Sequence, residues 1–233
     1  MNSTGTPRVV TFIRVPAVSD ERTAAYEQWY DSTHIPLRME KPGFLGAQRY
    51  ETLVGKQRYF VVYELADVTA PEGEAYTKLR QWEASQSADS FEAPALSRPG
   101  FERGIYEQVS GPAWPAPELK APIVHVAGHH PHDSNDVFAD WLRNTYVADL
   151  ASVEGVAAVR HLVHTRHEYA PGTGMLTPYP RCITISYLDS PEILDNPAFK
   201  RTQDAAVKRD DDPAPTPYVI VGRLVFTATG QPV

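Results

Sequence analysis

Cysteine is nearly missing from this chain of 233 residues: Cys182 is the one example. It excludes an internal disulfide framework and any Cys-rich metal site, and it fits a reducing compartment. Basic charge is also scarce. The 22 Lys and Arg against 29 Asp and Glu give a net charge of −7, with no concentrated basic stripe. Phosphate backbones and anionic lipid surfaces repel such a surface, so neither nucleic acid nor membrane is an expected partner. Long apolar runs are lacking too: MNSTGTPRVVTFIRV has no charged segment ahead of an export-length apolar stretch, and its apolar run is too short to span a bilayer. A cytoplasmic protein is expected. No G-x-x-x-x-G-K-[ST], no G-x-G-x-x-G after a strand and no G-x-S-x-G occurs, which argues against nucleotide, dinucleotide and α/β-hydrolase chemistry.

What is there is a foldable composition, 42% hydrophobic and 22% charged, with 21 prolines that imply more loop than a helical bundle carries. The organising feature is an internal echo. EQWYDSTHIPLRMEKPGFLGAQRY in the first half is answered by ADWLRNTYVADLASVEGVAAVRHL at a constant offset of 112 residues, from Trp29 to Trp141. The offset places Tyr26 on Phe138, Tyr30 on Leu142, Thr33 on Thr145 and Gly43 on Gly155. With Trp29, the first of these positions fall at i, i+3, i+4 and i+7, one face of a helix.

Each half then repeats one order of elements. Strands are expected at Val9 to Val15, Phe44 to Leu53, Arg58 to Leu65 and Phe101 to Val109, and again at Ile123 to Ala127, Val156 to His164, Arg181 to Leu188 and Tyr218 to Thr227. Second helices are expected over Glu72 to Ser87 and Pro191 to Lys208. The pattern β-α-β-β-α-β, twice, predicts an α+β protein of two tandem ferredoxin-like units packed sheet to sheet as a pseudo-dimeric α/β barrel. The first unit spans 1–111, a Pro-rich linker in extended polyproline conformation spans 112–121, and the second unit spans 122–233.

The residues Trp29-Tyr30-x-x-x-His34-x-Pro36, then Pro42-Gly43-Phe44 and Arg49-Tyr50, resemble the dimeric α/β-barrel superfamily, and within it the EthD-like branch. The second half departs from that pattern, with Tyr146 for His34, Ala148 for Pro36 and His161-Leu162 for Arg49-Tyr50. The resemblance implies tandem duplication with two diverged cavities. Its relatives include cofactor-free monooxygenases, polyketide cyclases, lactone isomerases, dehydratases and haem-binding proteins, so it implies architecture more than reaction.

His34 is the leading candidate acid or base, since imidazole exchanges protons near neutrality. Tyr30, one helical turn before it, and Tyr50 are candidates to hold a substrate oxygen, and Asp31 to orient the imidazole. Equally, His34 reads as a histidine that only bonds the last carbonyls of a helix. Trp29, Arg49 and Tyr146 are candidate substrate-binding residues. The paired Trp29 and Trp141 also read as core, and Arg49 as a structural ion pair.

Seven of the eight histidines lie in the second half. His125 and His129 share one face of a strand, with His130 on the other, whereas His161 and His164 point to opposite faces, so only one of those two can join His125. His132, His167, Asp133, Asp136 and Glu168 complete a set from which a metal or an axial haem ligand is conceivable, although no known ligand spacing is reproduced. Asp133 or Ser134 reads equally as a helix N-cap. His167 to Pro180 has no counterpart in the first half and suggests a lid or packing arm. Cys182, inside an apolar strand, reads as a buried inert thiol.

The expectation is therefore an enzyme without cofactor or bound metal, of lyase or isomerase type. It would move protons on a small apolar, aromatic, lactone or polyketide-like substrate by isomerisation, cyclisation, elimination or decarboxylation, with a cofactor-free monooxygenase, a haem- or metal-binding protein and a non-catalytic ligand-binding module as alternatives. A homo-oligomer is compatible with all of these.

Overall fold

A computed structural model describes residues 8–15, 18–87, 90–91, 102–130, 136–169, 180–209 and 218–230. The β-branched and aromatic runs form β1 (Val9–Val15), β2 (Phe44–Val54), β3 (Tyr59–Leu65) and β4 (Glu102–Ser110), then β5 (Ile123–His129), β6 (Val156–Tyr169), β7 (Cys182–Leu188) and β8 (Tyr218–Thr229). Between β1 and β2, α1 (Thr23–Trp29) runs through a π-helical turn, Tyr30–His34, into α2 (Ile35–Met39); α3 (Glu74–Ala84) follows β3. The second half repeats this with α4 (Asp136–Trp141), a π-helical turn at Leu142–Tyr146, α5 (Val147–Ala151) and α6 (Pro197–Arg209).

The strands close into one barrel in the order β1-β3-β2-β8-β5-β7-β6-β4, and every neighbouring pair is antiparallel. Each unit contributes a four-stranded ferredoxin-like sheet, and the two sheets face one another as expected. They are also hydrogen-bonded edge to edge, β2 to β8 and β4 to β6, so the closure leaves no open sheet edge. Both units turn into their second strand through a glycine with positive φ, Gly43 at 86° and Gly155 at 84°, which suits a residue without Cβ. Both then bulge at the same place, between Phe44 and Gly46 and between Val156 and Ala158.

Closure explains why β3 and β7 read as nearly unbroken apolar runs: one face looks into the barrel and the other lies under helices, so every residue of both strands is buried. The interior packs Val10, Phe12, Phe60, Val62, Val126 and Ile185 against one another. Set among them is a fully buried Arg160. Its guanidinium donates to both Glu64 oxygens at 2.5 and 3.0 Å and to Gln108 Oε1 at 3.0 Å, tying the two units across the barrel. Burial opposes that charge, and Glu64 and Tyr187 beside it more than offset the opposition.

The connection between β4 and β5 differs from the extended polyproline crossing that its prolines predict. It contains a 3-10 turn, Pro117–Lys120, and buries Trp114 and Leu119 against the interior core. Trp114 Nε1 donates to the Leu45 carbonyl at 3.0 Å, and Gln48 donates to the Leu119 carbonyl. Two large apolar side chains among the prolines are enough to draw the segment onto the barrel. Gly46 makes room for it, since a Cβ there would lie 2.3 Å from the Trp114 ring.

Candidate functional site

The two π-helical turns occupy equivalent positions, residues 30–34 and 142–146, and each is closed by an i→i−5 bond, Ile35 N–H to Tyr30 O and Val147 N–H to Leu142 O. Widening a helix by one residue re-aims the side chains that follow, a device frequent at functional sites. Pro36 lacks the N–H that would otherwise reach Ser32, which favours the irregularity in the first unit. Ala148 stands there in the second, so proline is not its only cause. His34 consequently sits inside a continuous helical path rather than at a helix end, contrary to the sequence expectation.

Its imidazole is 8% exposed and packs on the Tyr30 ring at 4.3 Å and the Trp29 ring at 4.8 Å between centroids. Nδ1 lies 3.8 Å from Glu83 Oε1, a carboxylate brought in by α3. Arg38 fixes that carboxylate, donating from one guanidinium nitrogen to both Glu83 oxygens at 2.9 and 3.1 Å and from the other to the His34 carbonyl at 3.1 Å. Burial works against the Arg38 charge, and Tyr76, Tyr63 and Glu83 around it more than restore it. Asp31, expected to orient His34, instead holds Arg49 in a two-pronged pair at 2.7 and 2.6 Å. Arg49 therefore has the structural ion pair foreseen as its alternative role, and its guanidinium lies over the Tyr59 ring at 5.1 Å. Glu83, the nearest carboxylate to the imidazole, sits 49 positions away on a polar-looking helix, where its burial was not visible in the sequence.

Two phenols complete the cluster. Burial, and then the adjacent Tyr63, push Tyr30 well above the usual tyrosine range, and burial raises Tyr63 likewise. Both stay protonated near neutrality and can donate to an oxygen. Tyr50 does not belong to this group: strand alternation sends it into the barrel interior, where it stacks on Phe60 at 4.9 Å. His164 pairs with Tyr106 on the inner face as well, so neither shares a site with His34.

In the second unit His125, His129 and His161 lie together on the outer face, with the helices above them. His125 meets the edge of Phe199 at 5.2 Å, His129 the edges of Tyr146 and Phe138 at 5.3 and 6.2 Å, and His161 Nδ1 lies 3.4 Å from the Thr184 hydroxyl. Tyr146 donates to Gln203 Oε1 at 2.7 Å. Trp29 and Trp141 both pack against the outer apolar clusters, the core role that their repeat suggests. Cys182 is buried beside the His129 carbonyl.

The equivalent places show how far the two units differ. At the 112-residue offset, Tyr146, Leu150 and Leu142 stand for His34, Arg38 and Tyr30. The third strand and second helix share a 123-residue offset, Leu65 to Leu188 and Tyr76 to Phe199, which sets Ser186 in place of Tyr63 and Ala206 in place of Glu83. Among the described residues, no carboxylate stands at the Glu83 position of the second unit.

Among the described residues no three His, Cys, Asp or Glu side chains are arranged to hold a metal ion. A haem would need an open slab beside an imidazole, whereas Phe199, Tyr146 and Phe138 pack against His125 and His129, so the surroundings of these two histidines do not fit it. Residues 131–135, with His132, Asp133 and the N-cap assignment, lie outside the described residues, as does 170–179 of the suggested lid; His167 to Tyr169 extend β6. Also among the described residues, no helix is long and apolar enough to cross a membrane.

Burial holds His125, His129 and His161 neutral. It lowers His125 to about 4, lowers His129 to about 3 with help from His161, His130 and His125, and lowers His161 to about 4 with help from Arg143. The unfolded chain takes up these protons near pH 6.5 and the folded protein only near pH 3 to 4. Their contribution to stability is therefore complete above about pH 6.5 and is lost as pH falls toward 4, at up to about 1.4 kcal/mol per pH unit for each histidine. Urea unfolding at about pH 7 and about pH 5 is expected to register this loss, and His125→Phe to reduce it by about a third. Equal stability at the two pH values would contradict the burial of these groups as neutral imidazoles.

No family model and no curated protein matches the chain. Solved structures do. An anthrone oxidase-like protein is 14% identical, with 98% of this chain and 95% of that chain covered and a TM-score of 0.63. A monooxygenase candidate from Fusobacterium nucleatum subsp. nucleatum is 11% identical, with 96% and 95% covered and a TM-score of 0.62. A chlorite dismutase candidate is 11% identical, with 95% and 96% covered and a TM-score of 0.51. The near-complete coverage in both directions extends the likeness over both units, and at these identities it is a likeness of fold. The chain shares the fold of these structures, a closed eight-stranded α/β barrel with two ferredoxin-like units in one polypeptide.

Proposed function

We propose that the protein is a cofactor-independent enzyme that abstracts a proton from an acidic C–H or O–H of a small aromatic ketone, lactone or polyketide-like substrate, with His34 as the base. The observation that carries this reading is the His34–Glu83 pair, 3.8 Å apart and locked by Arg38, whose equivalent positions in the second unit hold Tyr146 and Ala206. Nδ1 faces the carboxylate, so Nε2 is the atom that meets the substrate. As it takes the proton, the imidazolium gains the Glu83 charge as a partner, in a setting where water screens little. The Tyr30 and Tyr63 phenols then hold the oxygen on which the negative charge develops. Trp29 supplies an aromatic wall.

The same reading includes the finer assignments made on the sequence: the EthD-like branch, origin by tandem duplication, and division at 1–111, 112–121 and 122–233. The coincident π-helical turns, positive-φ glycines and β-bulges support duplication.

A cofactor-free monooxygenase is the second reading, favoured by the oxidase-like and monooxygenase designations of two solved structures with TM-scores of 0.63 and 0.62. In it the same deprotonated substrate reacts with dioxygen, so that a CH2 group and O2 give C=O and water. Anthrone, an aromatic ketone with an acidic CH2, heads the test panel, followed by aromatic lactones. Under nitrogen in D2O, the protein is expected to accelerate exchange of the acidic protons; admitting air adds oxygen uptake only in the second reading. If no ketone or lactone exchanges faster than in buffer, the proton-transfer assignment fails.

A further inference from the structure

Buried polar atoms without partners are costly, at roughly 1–3 kcal/mol each, so a pattern in where they occur carries information. In the first unit Thr11 and Tyr63 are opposite one another on β1 and β3, 4% and 1% exposed. The Thr11 hydroxyl finds no hydrogen-bond partner, and the Tyr63 hydroxyl lies beside Tyr30 in no well-formed bond. In the second unit the equivalent rung of the ladder is His125 opposite Ser186 on β5 and β7, 6% and 0% exposed; Ser186 Oγ has no hydrogen-bond partner, and the His125 imidazole lies against its own backbone with Nδ1 in no well-formed bond. The residue types differ, yet the same rung is left without a well-formed hydrogen bond in both units. The unpaired state belongs to the place in the fold rather than to one side chain.

In the first unit Tyr63 of this rung lies beside Tyr30, whose ring packs on His34 at 4.3 Å, where the proposed substrate oxygen would sit. We propose that the second unit is a separate binding site for a neutral oxygen-bearing aromatic molecule, a phenol or aromatic ketone, whose oxygen bonds Ser186 and His125. Neutrality follows from the surroundings. Ala206 takes the place of Glu83, the neighbouring groups are the imidazoles of His129 and His161 with the Thr184 hydroxyl, and Arg143, the cation that acts on His161, is paired with Asp140 at 3.4 Å. A hydroxyl and an imidazole nitrogen together offer a donor and an acceptor, which suits a phenol O–H or a carbonyl. Phe199 against His125, and Tyr146 against His129, supply aromatic contact. Lacking the His34–Glu83 pair, the site binds without turnover.

The proposal is tested on the whole protein with phenol as probe and toluene as its apolar counterpart, by NMR of protein carrying 13C-labelled histidine. Phenol is expected to move the His125 ring signal saturably and toluene to leave it in place. Ser186→Ala, a small change at a buried position, should weaken that response by about tenfold, with exchange of the acidic ketone protons unchanged. His125→Phe should remove it while leaving the His34 signal responsive. A phenol response at His34 with none at His125, a His125 response untouched by Ser186→Ala, or no response at either histidine up to the solubility limit would each overturn the assignment.

Discussion

Replacing His34 by glutamine lowers kcat for the proton-transfer substrate by about 10²-fold or more, because a positioned general base contributes on that order. Glutamine keeps most of the ring's volume against Trp29 and Tyr30, so the fold is retained. Alanine is the poorer probe: His34 lies 8% exposed within the helix, and truncation would also open a gap in the aromatic stack. Glu83→Gln has the smaller effect of a positioning residue, about tenfold in kcat, and carries a distinguishing sign. A nearby carboxylate stabilises the imidazolium, so its removal shifts the acidic limb of the kcat/KM profile to lower pH. A purely structural Glu83 would lower activity without moving that limb.

Glu64→Gln destabilises the protein by about 3–5 kcal/mol, since it leaves the Arg160 charge wholly buried without its counter-charge. Arg160→Met alone should cost a similar amount by stranding Glu64. The double substitution should recover part of the loss, because each charge is the other's counter-charge, while Gln108 and Tyr187 still lose the Arg160 guanidinium. Urea unfolding of the three variants gives the answer. A loss under about 1 kcal/mol for either single variant would mean that water reaches the pair.

The strands were legible because closure buries both faces of β3 and β7, which concentrates Val, Ile and Tyr in short runs, and because turns at Gly43 and Gly155 admit little but glycine. The 112-residue offset carried the helices and their π-helical turns together. The linker misled, since prolines signal extension while Trp114 and Leu119 demand burial, and burial prevailed. At the site, alternation alone separates Arg49 from Tyr50 and His161 from His164, and the structure follows it. What alternation does not give is which carboxylate meets His34. Asp31 is close in sequence, yet Arg49 takes it, and the partner arrives from α3 through a tertiary contact that no local pattern encodes. Arg38 and Tyr63 were missed for the same reason: each reads as ordinary helix or strand surface until the layers close over it.

Exchange of the acidic anthrone protons under nitrogen, compared among the parent protein, His34→Gln and His125→Phe, tests the central claim most directly. The account predicts that exchange falls by about 10²-fold in His34→Gln and is unchanged within about twofold in His125→Phe. Loss of exchange in His125→Phe with His34→Gln still active would place the chemistry in the second unit and contradict it.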